Sequence, residues 1–166
     1  MCHKAPIFVS IGGNLPDFSG RNSLVTCRMA AESLRSLPSL RLISLSSWYA
    51  TDPIPAGGPR YINGMAWLHG TVKPEWLLRR LQMIESAAGR VRSVPNAPRV
   101  LDLDIVAMDD LVRDAPDPVL PHPRAHLRRF VLEPLAELMP DWVHPVLHRN
   151  VQSLLAELPD QGVERL

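Results

Sequence analysis

The feature that most constrains the fold is an alternation of acidic and apolar residues over positions 100–105, which read Val-Leu-Asp-Leu-Asp-Ile. Alternate side chains of a β-strand point to the same face of a sheet. In a strand, Asp102 and Asp104 therefore share one face, while Leu101, Leu103 and Ile105 face a core. The segment thus predicts a half-buried strand that carries two neighbouring carboxylates.

Two neighbouring carboxylates repel each other, so an adjacent cation is the simplest explanation for the pair. Two carboxylates together with phosphate oxygens and water suit Mg²⁺, which prefers an octahedral shell of oxygen ligands. Arg99, just before the strand, adds a planar cation of the kind that binds phosphates. A strand with one solvent-facing side also explains an Asp-x-Asp pattern, and spacing alone leaves both interpretations open.

The composition bounds the class of protein. We expect residues 1–166 to form one domain, because 166 residues with 46% hydrophobic and 21% charged content are typical of a single soluble domain. A formal net charge of +1 argues against a general nucleic-acid or membrane-surface binder. No apolar run approaches the ~18 residues of a membrane span. Cys2 and Cys27 give neither a disulfide framework nor a metal-ligand spacing, which favours the reducing cytoplasm.

The hydrophobic periodicity predicts an ordered series of strands and helices. Strands are expected at 6–12, 40–51, 61–72 and 100–108, and helices at 24–34, 74–88, 130–139 and 151–158. Along the chain, the first six of these elements follow the order βαββαβ. That order predicts a ferredoxin-like α+β sandwich with C-terminal helical additions, in which the helices cover one face of a mainly antiparallel sheet. The other face is then expected to be free for a ligand.

Cationic side chains flank the carboxylate pair in the sequence. Arg90 and Arg92 follow the second helix, and His122 and Arg128 follow the last strand of the series. Transfer from a magnesium polyphosphate needs such a mixture, because the metal and the arginines neutralise oxygens while the protein does little covalent chemistry. No Gly-x-x-x-x-Gly-Lys loop is present, so the pattern does not predict a P-loop enzyme.

Five ordered blocks of residues carry a resemblance that extends from about residue 6 to residue 140. They are Ile-Gly-Gly-Asn-Leu at 11–15, Tyr-Ile-Asn at 61–63, Ile-Glu with Gly-Arg-Val-Arg at 84–92, Pro-Arg-Val-Leu-Asp-Leu-Asp at 98–104, and Pro-His with Arg128 and Phe130. In these blocks the chain resembles 6-hydroxymethyl-7,8-dihydropterin pyrophosphokinase. This family of folate-pathway enzymes moves diphosphate from ATP to a pterin alcohol and releases AMP.

The resemblance implies a role for each matched residue. Asp102 and Asp104 would hold two Mg²⁺ ions with ATP, and Arg90 and Arg99 would be the catalytic arginines. The implied ATP-binding residues are Gln82, Glu85, Arg92, His122 and Arg128. The implied pterin-binding residues are Thr51, Pro53, Tyr61, Asn63 and Phe130. Taken singly, His122 also fits a turn histidine, Phe130 a core residue and Tyr61 a strand-edge aromatic.

The resemblance also sets expectations for partners and alternatives. ATP and 6-hydroxymethyl-7,8-dihydropterin are the expected substrates, and we expect a monomer. The short neutral segment 93–97 stands where many relatives have a basic loop that closes over ATP. A non-catalytic module that keeps the pocket, or a nucleotidyl or glycosyl transferase with an Asp-x-Asp metal site, are the alternatives. The nucleotide product separates them, since only the pyrophosphokinase releases AMP as it forms a pterin diphosphate.

Overall fold

A computed structural model describes residues 5–53, 56–91 and 97–166. The strands are β1 (Pro6–Gly13), β2 (Leu40–Leu45), β3 (Tyr49–Thr51), β4 (Tyr61–Gly70), β5 (Asp102–Met108) and β6 (Val163–Arg165). The α-helices are α1 (Ser23–Arg35), α2 (Pro74–Ala87), α3 (Arg129–Leu138) and α4 (Val151–Glu157), and a short 3-10 turn spans Ala125–Leu127. None of the helices in these ranges has both the length and the hydropathy that crossing a membrane requires.

The strands form one antiparallel sheet in the order β5-β1-β4-β3-β6, with β2 also paired to β4. The pairing of β1 with β5 places Ser10 opposite Asp104 and Gly12 opposite Asp102. The same strand pairs with β4, where Gly12 lies opposite Asn63. Strand β1, which lies between β5 and β4, therefore joins the predicted carboxylate pair to the predicted pterin-binding amide.

The two faces of the sheet bury different cores. Ile7, Val9 and Ile11 of β1 face α1 and α2, in a cluster that also contains Leu103 and Ile105. Alternate residues of the sheet face α3 and α4; they include Phe8, Met65 and Val106. The ferredoxin-like arrangement with C-terminal helical additions is thus confirmed, and its alternation of buried residues follows the period of a strand.

Two expectations about the fold need correction. The expected strand at 40–51 is divided into β2 and β3, because the Ser46 hydroxyl accepts a hydrogen bond from the Met65 N–H at 2.8 Å, where a backbone carbonyl would accept it in a regular ladder. The register accommodates one extra residue there, since Leu45 pairs with Ala66 and Tyr49 with Asn63. The second sheet face is also not wholly free, because α3 and α4 pack on it.

Candidate active site

A cavity of about 330 Å³ opens on the face of the sheet that α3 and α4 partly cover. Its walls come from β1, β3, β4 and β5, from the start of α3, and from the turn that precedes α3. Most of the residues that the sequence singled out meet there; they are Thr51, Tyr61, Asn63, Arg99, Asp102, Asp104, His122, Arg128 and Phe130. The fold therefore brings the expected metal, phosphate and pterin residues into one concave site.

The carboxylate pair lies as the alternation in β5 predicts. Asp102 and Asp104 line the cavity, while Leu103 and Ile105 are buried on the opposite side of the sheet. Burial, and then the negative charge of Asp102, raise the pKa of Asp104 to about 7, against a smaller opposing effect of the Arg128 charge. A further cation beside Asp104 would therefore favour its charged form.

Two arginines that precede β5 in the chain contact Asp102. Arg90 Nη1 donates a hydrogen bond to Asp102 Oδ1 at 2.8 Å, and Arg99 Nη1 lies 3.3 Å from the same oxygen. Burial lowers the pKa of Arg90, but the Glu85 and Asp102 carboxylates outweigh burial and leave it raised. Arg90 is thus firmly cationic at the edge of the carboxylate pair, although it does not line the cavity itself.

Glu85 lies beneath the site instead of in it. The residue is 3% exposed, its Oε2 accepts a hydrogen bond from the Leu103 N–H at 2.9 Å, and its carboxylate pairs with Arg90. Burial raises the pKa of Glu85, against the opposing hydrogen bond from Leu103 and the charge of Arg90. The contacts place this carboxylate as a support for β5 and Arg90.

Two other expected site residues fall outside the cavity lining. Gln82 lies on α2, away from the cavity, and Pro53 follows β3 without lining it. Arg92 lies outside the described residues, as does most of the 93–97 segment. Their assignments to ATP or pterin remain predictions.

The end of the cavity near β3 and β4 carries amide and hydroxyl groups. Asn63 Nδ2 donates a hydrogen bond to Thr51 Oγ1 at 2.8 Å, and both residues are nearly fully buried. The glycine at position 12 leaves room for this amide, because a Cβ there would lie 2.9 Å from Asn63 Oδ1. Tyr61 and Phe130 add aromatic rings to the same cavity. A flat, polar-edged heterocycle is the ligand that such a combination suits.

His122 and Arg128 also line the cavity. Burial, followed by the Arg128 charge, lowers the pKa of His122 to about 4, so its imidazole is neutral near pH 7. His122 Nδ1 accepts a hydrogen bond from the Arg124 N–H at 3.2 Å, which leaves Nε2 to carry the proton. The Arg128 guanidinium carbon lies 5.5 Å from the centroid of the Phe130 ring. The neutral N–H donor of His122 and the guanidinium of Arg128 together suit the binding of phosphate oxygens.

Some residues of the site had escaped the sequence reasoning. Ser10 lines the cavity opposite Asp104, and it is the one polar residue in an apolar strand, which was a usable signal. Asn14 is 4% exposed and ties three loops together: its Oδ1 accepts from the Arg99 N–H at 3.0 Å and its Nδ2 donates to the Pro59 carbonyl at 3.2 Å. Gln161, from the C-terminal segment, also lines the cavity, and nothing in its local sequence marks it.

Comparison with known proteins identifies the family to which this architecture belongs. The family model described as 7,8-dihydro-6-hydroxymethylpterin-pyrophosphokinase (HPPK) matches residues 8–140. The chain belongs to the HPPK family. That match begins within β1 and extends past the end of α3, so it contains all the residues that the sequence assigned to the site.

Relatives in this family span nearly the whole chain. The chain is 40% identical over 161 residues to the 2-amino-4-hydroxy-6-hydroxymethyldihydropteridine pyrophosphokinase of Pseudomonas aeruginosa, covering 96% of each protein. It is 34% identical to the protein of the same name from Synechocystis, covering 95% of this chain and 77% of the relative. A crystal structure described as HPPK-DHPS in complex with substrates shares the fold, with a TM-score of 0.70 at 12% identity over 98% of this chain and 46% of that longer one.

Proposed function

We propose that the cavity beside Asp102 and Asp104 is the active site in which this HPPK works. As a member of the family, the chain transfers diphosphate from ATP to the hydroxymethyl group of 6-hydroxymethyl-7,8-dihydropterin in folate biosynthesis, a diphosphokinase reaction that releases AMP. The observation that carries the assignment of the site is the cavity itself, which combines a carboxylate pair, cations and a polar aromatic end.

The donor set fits magnesium. Burial and the neighbouring Asp102 charge raise the pKa of Asp104, and a divalent cation bound by the two residues would stabilise the charged form of both. Within the described ranges no cluster of three acidic, histidine or cysteine side chains offers a complete metal cage, and Mg²⁺ is commonly held by one or two carboxylates plus substrate phosphates. Asp102 and Asp104 would hold two ions, which would supply charge neutralisation to the phosphates and to the attacking and leaving oxygens.

The arginines and His122 would bind and orient the polyphosphate. Arg99 lines the cavity beside Asp102, and Arg90 contacts the same carboxylate from beneath, so both are placed to steady charge on the moving diphosphate. His122, neutral and carrying its proton on Nε2, would donate to a phosphate oxygen. Arg128 would add a full positive charge next to it. These groups position the reactants while the protein forms no covalent bond to them.

The pterin would bind at the Thr51 and Asn63 end. The Asn63 amide has an oxygen and a second N–H beyond the bond to Thr51, which matches the alternating donors and acceptors of a pterin edge. Tyr61 and Phe130 would contact the faces of the ring. Pro53, next to Asp52 of the cavity wall, would contribute only backbone contacts. In this arrangement the pterin hydroxyl points toward the carboxylate pair.

Three broader assignments accompany the site. Residues 1–166 would act as one pyrophosphokinase domain, since both cores share the same sheet. The enzyme would work as a monomer in the cytoplasm, where ATP is available, with no nucleic-acid or membrane partner. The near-zero net charge of +1 argues against a nucleic-acid partner.

The test is a product analysis with a matched pair of variants. The purified chain is incubated with ATP, 6-hydroxymethyl-7,8-dihydropterin and Mg²⁺, and AMP and pterin diphosphate are quantified with and without a chelator. We expect AMP and pterin diphosphate in equal amounts, and no product when the chelator is present. The rate should fall at least about a hundredfold in Asp104→Asn and stay at the wild-type value in the exposed control Asp110→Asn. Full activity in Asp104→Asn, or bound pterin without AMP in the wild type, would contradict the proposal; the latter result favours a non-catalytic module.

A further inference from the structure

We infer that Gln161, in the C-terminal segment beyond the family match, is a positioning residue that holds Arg128 at the phosphate end of the cavity. The inference rests on the proposed function, because Arg128 matters there as a contact for ATP. The family match ends at residue 140, whereas Gln161 comes 21 positions later and still lines the cavity. Its role therefore follows from contacts and from none of the sequence blocks that mark the family.

Gln161 bonds to the backbone on both sides of Arg128. Its Oε1 accepts a hydrogen bond from the Arg129 N–H at 2.9 Å, and its Nε2 donates to the Leu127 carbonyl at 3.1 Å. The Arg129 N–H belongs to the first turn of α3, where backbone donors have no partner within the helix. Arg128 is the N-cap residue and its own side chain makes no capping bond. Gln161 thus supplies the missing acceptor and fixes the peptide planes on either side of Arg128.

The position of Arg128 bears on two parts of the site. Its guanidinium lies over Phe130, and its charge opposes the rise in the Asp104 pKa and adds to the effect of burial in lowering the pKa of His122. Rotation of the backbone at position 128 would move this charge relative to the carboxylate pair. The amide of Gln161 opposes such a rotation because both of its polar ends are engaged.

The segment that carries Gln161 is itself fastened to the sheet. Val163 pairs with Thr51 in the ladder between β6 and β3, and the Leu166 N–H donates a hydrogen bond to the Trp48 carbonyl at 2.9 Å. Gly162 has a φ of +69°, and a Cβ at that position would lie 2.7 Å from Asp52 Oδ2. Glycine adopts this backbone conformation without strain, and its lack of a side chain lets the segment pass close to Asp52. These anchors hold Gln161 in register with the start of α3.

A double-mutant cycle tests the coupling. Gln161→Ala, Arg128→Ala and the double variant are compared for kcat and KM of ATP, and for equilibrium affinity for α,β-methylene-ATP with Mg²⁺. Each lost hydrogen bond corresponds to a factor of about three to ten, so we expect Gln161→Ala to weaken kcat/KM for ATP by about tenfold or more. In the Arg128→Ala background we expect the same change to cost less than about threefold, since the contact it supports is already gone.

The control lies in the same segment. Glu164→Ala removes the ion pair to Arg60 but touches neither neighbour of Arg128, so its kcat/KM should stay within about twofold of the wild type, as an exposed pair is worth little. Equal losses from Gln161→Ala in both backgrounds, or a loss that Glu164→Ala shares, would overturn the inference. A wild type that binds the analogue but forms no AMP would instead refute the proposed function, and the binding cycle would still decide the role of Gln161.

Discussion

Replacing Glu85 with glutamine tests whether this carboxylate supports the site or binds ATP. Its side chain is 4% exposed, accepts a hydrogen bond from the Leu103 N–H and pairs with Arg90, whose side chain is 16% exposed. Glutamine keeps the size and an acceptor for Leu103 but removes the charge. The pKa of Glu85 is raised because burial disfavours its charged form more than the pairing with Arg90 favours it. The pKa of Arg90 is raised because the neighbouring carboxylates outweigh the lowering effect of burial. The cost of the change therefore falls mainly on Arg90.

The expected loss of unfolding free energy is about 2 kcal/mol. Removing one member of a buried pair costs about 3–5 kcal/mol, and Arg90 keeps Asp102 as a second partner at 2.8 Å, which reduces that figure. The assay is urea denaturation followed by circular dichroism, with kcat measured on the same samples. We expect kcat to fall as well, because Arg90 then engages Asp102 without competition from Glu85.

A matched control lies on the same helix. Glu75 pairs with Arg113 but its side chain is 40% exposed, so Glu75→Gln should leave the free energy of unfolding nearly unchanged. The reasoning would be refuted if Glu85→Gln were as stable as this control. A large rise in the KM for ATP with unchanged stability and kcat would instead support direct contact between Glu85 and the nucleotide.

Two further changes probe the pterin end and the pH dependence. Gly12→Ala places a Cβ 2.9 Å from Asn63 Oδ1 and should displace this amide. The KM for the pterin should then rise about tenfold, while the KM for ATP stays within about twofold of the wild type. An unchanged KM for the pterin would contradict the assignment of Asn63 to the pterin. Glu137 accepts hydrogen bonds from Ser47 and Tyr49, which together outweigh burial and hold its pKa below the usual 4.5. Because the pKa of Glu137 is lower in the folded state, its charged form stabilises the fold above pH 4.5. This stabilisation is lost as the pH falls through the folded-state pKa. Urea denaturation of Glu137→Gln should therefore show a deficit near pH 7 that shrinks below pH 4.5, and a deficit independent of pH would contradict the assignment.

The parts of the fold that follow a period could be predicted from the sequence. Asp102 and Asp104 share a face because a strand repeats every two residues, and the order of elements was enough for the ferredoxin-like topology. The break between β2 and β3 could not be predicted, because it depends on the Ser46 hydroxyl meeting a backbone N–H on a distant strand. Strand β6 is only three residues long and two of them are charged, so no apolar alternation marks it.

Residues whose type suits direct contact with a ligand could be predicted from the sequence, whereas residues that support another residue could not. Asn63, Arg99 and Arg128 line the cavity as their residue types suggest. The expected role of Glu85 in ATP binding stays a prediction, but its contacts with Leu103 and Arg90 could not be predicted, because a helical period does not reveal which buried partner a carboxylate meets. Gln161 depends on pairing between residues more than thirty positions apart, which a single sequence does not record.

The count of divalent ions bound with the nucleotide tests the central claim most directly. Mn²⁺, which can replace Mg²⁺ at oxygen ligands, is titrated by electron paramagnetic resonance into the wild type and Asp104→Asn in the presence of α,β-methylene-ATP. The account predicts two ions per wild-type chain with the nucleotide, and the loss of at least one in the variant. Equal ion binding by both proteins would contradict the assignment of Asp102 and Asp104 as the metal ligands of this pyrophosphokinase.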